Sequence, residues 1–100
     1  METELQELVD YVIGRSGIAK LQIKSVNRGR AMYSTNHITI PQWVLKKDIA
    51  VVYYYAIHEA CHILTKSGHD NRFKQLEQKY CKEFGIDIEY MKAYPKKTVL

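Results

Sequence analysis

The sequence contains only two cysteines and no hydrophobic run long enough to cross a membrane. Cys61 and Cys81 are too few for a disulfide framework, so we expect free thiols in a reducing, cytoplasmic location. The longest apolar run, Ile49 to Ile57, is far shorter than the roughly 20 residues of a transmembrane helix. The first residues, METELQELVD, lack the basic and then apolar pattern of a secretory signal. These absences argue against a disulfide-linked secreted domain and against an integral membrane protein.

The length and composition indicate one small globular domain. A chain of 100 residues is expected to form a single hydrophobic core, and its 46% hydrophobic content is normal for a folded protein. The formal net charge of +4 is mild. It permits a nucleic acid as a partner but does not require one. We therefore predict one domain over residues 1–100, with a tail that begins at about residue 86.

In the first half of the chain, hydrophobic periodicity predicts a helix and then strands. Apolar residues recur at helical spacing over roughly Thr3 to Arg15, and Thr3 with Gln6 fits a capping box. The segment LQIKSV alternates as a half-buried strand does, and NRGR reads as a turn. The segments AMYS and HITIP read as two short strands, the second ending at Pro41.

In the second half, the pattern predicts two helices. The segment DIAVVYYYAIHEACHILTK is rich in β-branched residues, but its length and its apolar stripe favour a helix that begins at Asp48 and ends at Ser67-Gly68. A last helix is expected over Asn71 to Phe84, followed by IDIEY as a short strand or coil. The predicted fold class is α+β, with a small antiparallel or mixed sheet of about three strands backed by three helices.

The sequence HEACH within the long helix is the strongest functional signal. Residues four apart on a helix differ by about 40° in direction and about 6 Å in height, so His58 and His62 project from one face and can bind one ion. Zinc favours such nitrogen ligands. Glu59 lies about 100° around the helix from His58, where it can act as the general base on a water at the metal. This is the H-E-x-x-H pattern of metallopeptidases.

A catalytic zinc site needs a third protein ligand, and the sequence offers alternatives. His69 follows the flexible SG pair and can return to the metal face. Glu77 lies beside an apolar stripe, where a carboxylate needs a partner, so it is either the third ligand or a hydrogen-bond acceptor for a ligand imidazole. We favour His69 as the ligand, and Glu83 is a weaker choice.

The stretch AIHEACHILTKSGHDNRF resembles the SprT-like and YgjP-like zinc metallopeptidases. The resemblance covers roughly Ala31 to Phe84, and GRAMYSTNHITIP is similar to the strand pair before the active-site helix of that family. It implies a zincin-like fold, zinc bound by His58, His62 and His69, Glu59 as the base and a peptide or protein substrate. The small size also resembles the minigluzincins, in which the third ligand is a Glu on the next helix; this would favour Glu77.

Several other residues could take part in the chemistry, and two other functions fit the sequence. Tyr33, Tyr90, Tyr94, Arg72 and His37 are candidates for stabilising an oxyanion, but no spacing argument selects one. Cys61 is expected to be a small buried hydrophobe. The alternative functions are a structural zinc module, which would need a fourth protein ligand, and a basic nucleic-acid-binding module.

The last residues, Asp87 to Leu100, carry one further expectation. HITIP is expected to form the rim of the cleft, with an unpaired outer edge that can hold an extended peptide. Because the tail begins with alternating apolar residues and is long enough to cross the domain, it is a candidate for covering that edge and keeping the enzyme latent. The alternative is a frayed, basic terminus.

Overall fold

The computed structural model describes residues 1–91. It contains three α-helices and three strands, with a short 3₁₀ helix between them: α1 (Glu2–Ile13), β1 (Lys20–Lys24), β2 (Arg30–Met32), β3 (His37–Pro41), the 3₁₀ helix (Gln42–Lys46), α2 (Ile49–Thr65) and α3 (Asn71–Glu83). The fold class is α+β, as the sequence predicts.

The sheet is mixed and has the strand order β1-β3-β2. Strand β3 pairs with β1 in parallel and with β2 in antiparallel orientation. The expectation that HITIP leaves one edge unpaired is therefore wrong, because β3 is the central strand. Strand β2 is the edge strand that lies against α2. Any extended peptide that adds to this side of the sheet would pair with β2.

Helix α2 is the centre of the domain. It contacts α1, α3, β2, β3 and the 3₁₀ helix, which explains why it is apolar around most of its circumference. Its fully buried residues include Ala56, Ile57 and Ala60, which allow close packing of the neighbouring elements. Long β-branched and aromatic side chains thus reach the core from a helix because tertiary packing outweighs their strand propensity. The histidine pair is therefore held on the most constrained element of the fold.

Several helix ends differ from the predicted ones, and α1 covers Glu2–Ile13 rather than Thr3 to Arg15. Helix α1 begins without a side-chain cap, and the predicted capping box is wrong. The Gln6 amide instead donates to the Ala19 carbonyl at 2.7 Å and accepts from the Leu21 amide at 2.9 Å, so it anchors the start of β1. Helix α2 ends at Thr65, before Ser67-Gly68, because Lys66 adopts a left-handed conformation (φ 53°).

The segment after α3 packs against the core. Ile86 and Met91 are buried, and Asp87 accepts the backbone N–H groups of Glu89 and Tyr90. Residues 88–91 form a helical turn, so the expectation of an extended segment is wrong for this part. The rest of the predicted tail, residues 92–100, lies outside the described residues. Among the residues that the structure describes, no helix has the length and hydrophobicity of a membrane span.

Candidate metal centre

His58 and His62 lie one turn apart on α2 and face the same side. Their Nε2 atoms are 3.2 Å apart. Their rings meet edge to face, with centroids 4.8 Å apart. The helical spacing that the motif implies is therefore realised with both ring nitrogens directed at one point.

His69 joins this pair through the turn between α2 and α3. Its Nε2 is 3.3 Å from the Nε2 of His58. The turn is held by Asp70, whose side chain caps α3 by accepting the Phe73 N–H at 2.9 Å and also accepts the Ser67 hydroxyl at 2.9 Å. The Phe73 ring contacts all three imidazoles from the α3 side. The Asp70 cap, the turn between the two helices and the Phe73 ring together fix the position of His69 over the face of α2.

The other ring nitrogens of the helical pair have acceptors of their own. His58 Nδ1 lies 2.5 Å from a carboxylate oxygen of the buried Glu77, and His62 Nδ1 lies 2.9 Å from the Ser67 carbonyl. Because both partners are acceptors, each Nδ1 is placed to donate its hydrogen, and the Nε2 of a neutral ring in this position is free to bind a cation. Burial also lowers the pKa of His62 and favours its neutral form.

Two of the three nitrogen separations match those of a tetrahedral metal ion. Two nitrogens that each lie about 2.0–2.1 Å from a tetrahedral zinc are about 3.3–3.4 Å apart. The observed Nε2 separations are 3.2 and 3.3 Å, and one ligand atom from each histidine lies within 4.8 Å of the others. The His58, His62 and His69 group is thus able to hold a metal ion.

Glu59 is buried beside this cluster and points to a different side of α2. It is 6% exposed, and burial raises the pKa of its carboxyl to about 7, with Glu77 adding to the rise and His58 opposing it. A Cβ atom placed on Gly29 would lie only 2.8 Å from Glu59 Oε2. The glycine in the β1–β2 connection therefore leaves the space that the carboxylate occupies.

A cavity of about 260 Å³ opens where His58 and Glu59 meet the surface. Its other walls are the aromatic side chains Trp43, Tyr54 and Tyr55, together with residues 27–29 of the β1–β2 connection. Trp43 donates its ring N–H to the Asn27 carbonyl at 3.0 Å and packs edge to face on Tyr55. The metal-ligand face thus adjoins an aromatic recess of the size that accepts a side chain.

The remaining candidates lie elsewhere or have other partners. Glu83 is at the end of α3 and accepts a hydrogen bond from Tyr11. His37 begins β3, and Cys61 is buried and unpaired with its pKa raised to about 12 by burial. Within residues 1–91, no fourth His, Cys, Asp or Glu joins the three-histidine group.

Of the oxyanion candidates, Tyr33 lies beside the cluster, with its ring centroid 6.3 Å from that of His62. Tyr33 donates its hydroxyl to the Ser67 carbonyl at 2.5 Å and so acts on the turn rather than on a substrate. Arg72 is exposed in the first turn of α3, and Tyr90 is exposed in the segment after it. Tyr94 lies outside the described residues.

Three contributors to the site have no signal in the sequence. The Ser67 carbonyl is a backbone group, which any residue supplies. The close approach of Gly29 to the Glu59 carboxylate and the hydrogen bond from Trp43 to the Asn27 carbonyl both depend on tertiary structure. NRGR in the sequence indicates only a turn, and nothing in it shows that the turn packs against Glu59.

Comparison with known sequences gives no matching family model and no matching curated protein. Among solved structures, the chain is similar to the metallopeptidase zymogen of Pyrococcus abyssi abylysin, with a TM-score of 0.70 and 23% identity. The match covers 83% of this chain and 87% of that one. At this identity the likeness shows the fold alone. The chain has the fold of a small metallopeptidase and, on it, a group of three histidines able to hold a metal ion.

Proposed function

We propose that this protein is a zinc-dependent endopeptidase. The observation that carries the proposal is the convergence of three histidine Nε2 atoms beside the buried Glu59 carboxylate. His58, His62 and His69 are the proposed zinc ligands, and Glu77 orients His58 from outside the ligand set. The fold shared with a metallopeptidase supports this assignment.

The residues then divide the reaction between them. A zinc ion at the three nitrogens would lower the pKa of a water toward about 7 and polarise a peptide carbonyl. Glu59 takes the proton that the attacking water loses and delivers it to the leaving amine. Burial raises the pKa of Glu59 to about 7 in the metal-free chain, and a nearby zinc ion would lower it, so that the ionised carboxylate could accept a proton at neutral pH. The aromatic recess beside it receives a substrate side chain.

The structural-zinc alternative is less well supported. Such sites fill all four positions with protein ligands, whereas three residues form the group within residues 1–91. The resemblance to SprT-like and YgjP-like peptidases or to minigluzincins, and the cytoplasmic location, remain part of the proposal. The solved neighbour is a zymogen, which supports latency here as well.

The test measures metal and activity in the same samples. We expect one zinc per chain in the wild type and in Glu59→Gln, and loss of zinc in His58→Ala and His62→Ala. Peptide hydrolysis by the wild type should stop with a chelator and return with zinc. It should fall by about 10²- to 10⁴-fold in Glu59→Gln. Zinc retention in both alanine variants, or undiminished hydrolysis by Glu59→Gln, would contradict the proposal.

A further inference from the structure

The charges of this chain are segregated along the sequence. Between Asp10 and Asp48 there is no acidic residue, but there are seven basic ones: Arg15, Lys20, Lys24, Arg28, Arg30, Lys46 and Lys47. This segment includes the whole sheet, whereas α1 carries four acidic residues. The strands of the sheet and the segments that connect them therefore carry basic side chains and no acidic ones.

Part of this charge lines a groove of about 620 Å³ on the sheet. Lys24, Arg28 and Arg30 supply its basic side chains, and all three are exposed. Val26 and Met32 add apolar surface at 40% and 41% exposure. The groove lining contains no acidic residue, and none of its three basic side chains has an ion-pair partner within residues 1–91.

The groove adjoins the proposed active site. Residues 27–29 of the β1–β2 connection line both the groove and the cavity that contains His58 and Glu59. This connection is fixed by the Trp43 hydrogen bond to Asn27 and by the close approach of Gly29 to Glu59. Arg28 lines both the cavity and the groove, whereas Arg30 lines the groove alone.

We propose that the groove binds acidic side chains of the peptide substrate, adjacent to the bond that is cleaved. This inference rests on the proposed function. Glutamate and aspartate complement the basic side chains, and apolar neighbours can pack on Val26 and Met32. The segment 92–100 cannot supply that complement, because it carries three lysines and no acidic residue. A single-stranded nucleic acid fits less well, since no aromatic side chain lines the groove for base stacking.

The experiment measures binding as well as cleavage. Zinc-loaded Glu59→Gln protein is titrated into dye-labelled peptides that are identical except for two Glu, two Gln or two Lys residues beside a central leucine. We expect the Glu peptide to bind roughly tenfold more tightly than the Gln peptide, and the Lys peptide most weakly. The preference should shrink as salt is raised. The preference for the Glu peptide should disappear in the double variant Arg28→Gln/Arg30→Gln. It should persist in the control variant Arg15→Gln, because Arg15 lies outside the groove lining.

Each contrary outcome is distinct. Equal binding of the Glu and Gln peptides, or a preference that survives the double arginine substitution, overturns the inference even if the wild type cleaves both peptides. A thymidine oligonucleotide that binds more tightly than the Glu peptide through the same arginines overturns the assignment to peptides. A third outcome is that the Glu peptide binds selectively but the wild-type chain, full-length or ending at Met91, cleaves no peptide. That result overturns the proposed function, and the substrate assignment falls with it.

Discussion

Each histidine of the helical pair has a different acceptor at Nδ1, and that acceptor determines which nitrogen faces the metal. For His58 it is the Glu77 carboxylate, and for His62 it is the Ser67 carbonyl. A carboxylate makes the imidazole a better donor to a cation, whereas a backbone carbonyl mainly fixes its orientation. The His58 imidazole thus gives the buried Glu77 carboxylate a partner.

This assignment predicts a difference between His69 and Glu77. His69→Ala removes a proposed ligand, so it should weaken zinc binding more than Glu77→Gln does. Glu77→Gln keeps the size of the side chain and should weaken zinc binding by about 10- to 100-fold. Competition with a chromophoric chelator measures both affinities. A larger loss for Glu77→Gln would favour Glu77 as the third ligand.

The buried Glu59 carboxyl predicts a pH dependence of stability in the metal-free protein. Its pKa is raised from 4.5 to about 7 in the folded state by burial. The folded state therefore favours the protonated form, and stability from this group is lost as the pH rises from about 4.5 to about 7. Glu59→Gln has no carboxyl at this position and lacks this loss. We therefore expect the difference in free energy of unfolding, variant minus wild type, to increase by up to about 3 kcal/mol from about pH 5 to about pH 8. Urea unfolding with a chelator present measures this, and a constant difference would contradict the prediction.

At the scale of elements, the helices were predictable and the sheet pairing was not. The bounds of HITIP and α3 agree closely with the sequence pattern, because periodicity and the neighbouring Pro41, Asp70 and Gly85 mark them. Strand order depends on contacts between distant residues, so the central place of β3 leaves no local signal. The motif predicted the facing pair His58 and His62. Local contacts of Asp70 with Ser67 and Phe73 hold the turn at residues 66–70, whereas the β1–β2 connection takes its position from tertiary contacts.

The β1–β2 connection offers a test with a matched control. Gly29→Ala places a Cβ at 2.8 Å from Glu59 Oε2 and 3.4 Å from the Thr39 carbonyl, so the carboxylate must move. We expect normal zinc content and a loss of kcat/KM of up to about 100-fold, since a displacement of about 1 Å can cost that much. Gly68→Ala meets no atom within 4 Å, although it lies in the turn that carries His69, and should be nearly neutral. Equal activities of the two variants would show that Glu59 does not depend on this space.

At the scale of the whole molecule, the domain is small enough that the segment after α3 matters for its core. Ile86 and Met91 are buried, so the structured domain extends to at least residue 91. Removing the chain after Gly85 would delete two buried side chains, each contributing about 1.5–3 kcal/mol. A test of latency must therefore begin beyond Met91.

We predict that ending the chain at Met91 raises peptidase activity while leaving zinc content and melting temperature close to those of the full chain. The reason is that residues 92–100 are the remaining candidate for covering the cleft. Hydrolysis of one peptide by both forms, at matched zinc content, measures the effect. Equal rates would rule out latency by this segment.

The central claim is a metal site with three histidine ligands and an open position next to Glu59. A crystal structure of the zinc-loaded protein, with the ion located by its anomalous scattering, tests it most directly. We predict zinc at about 2.0–2.1 Å from the Nε2 atoms of His58, His62 and His69, with Glu77 still on His58 Nδ1 and no protein atom in the fourth position. A fourth protein ligand, coordination by Glu77 in place of His69, or zinc bound elsewhere in the chain would contradict the account.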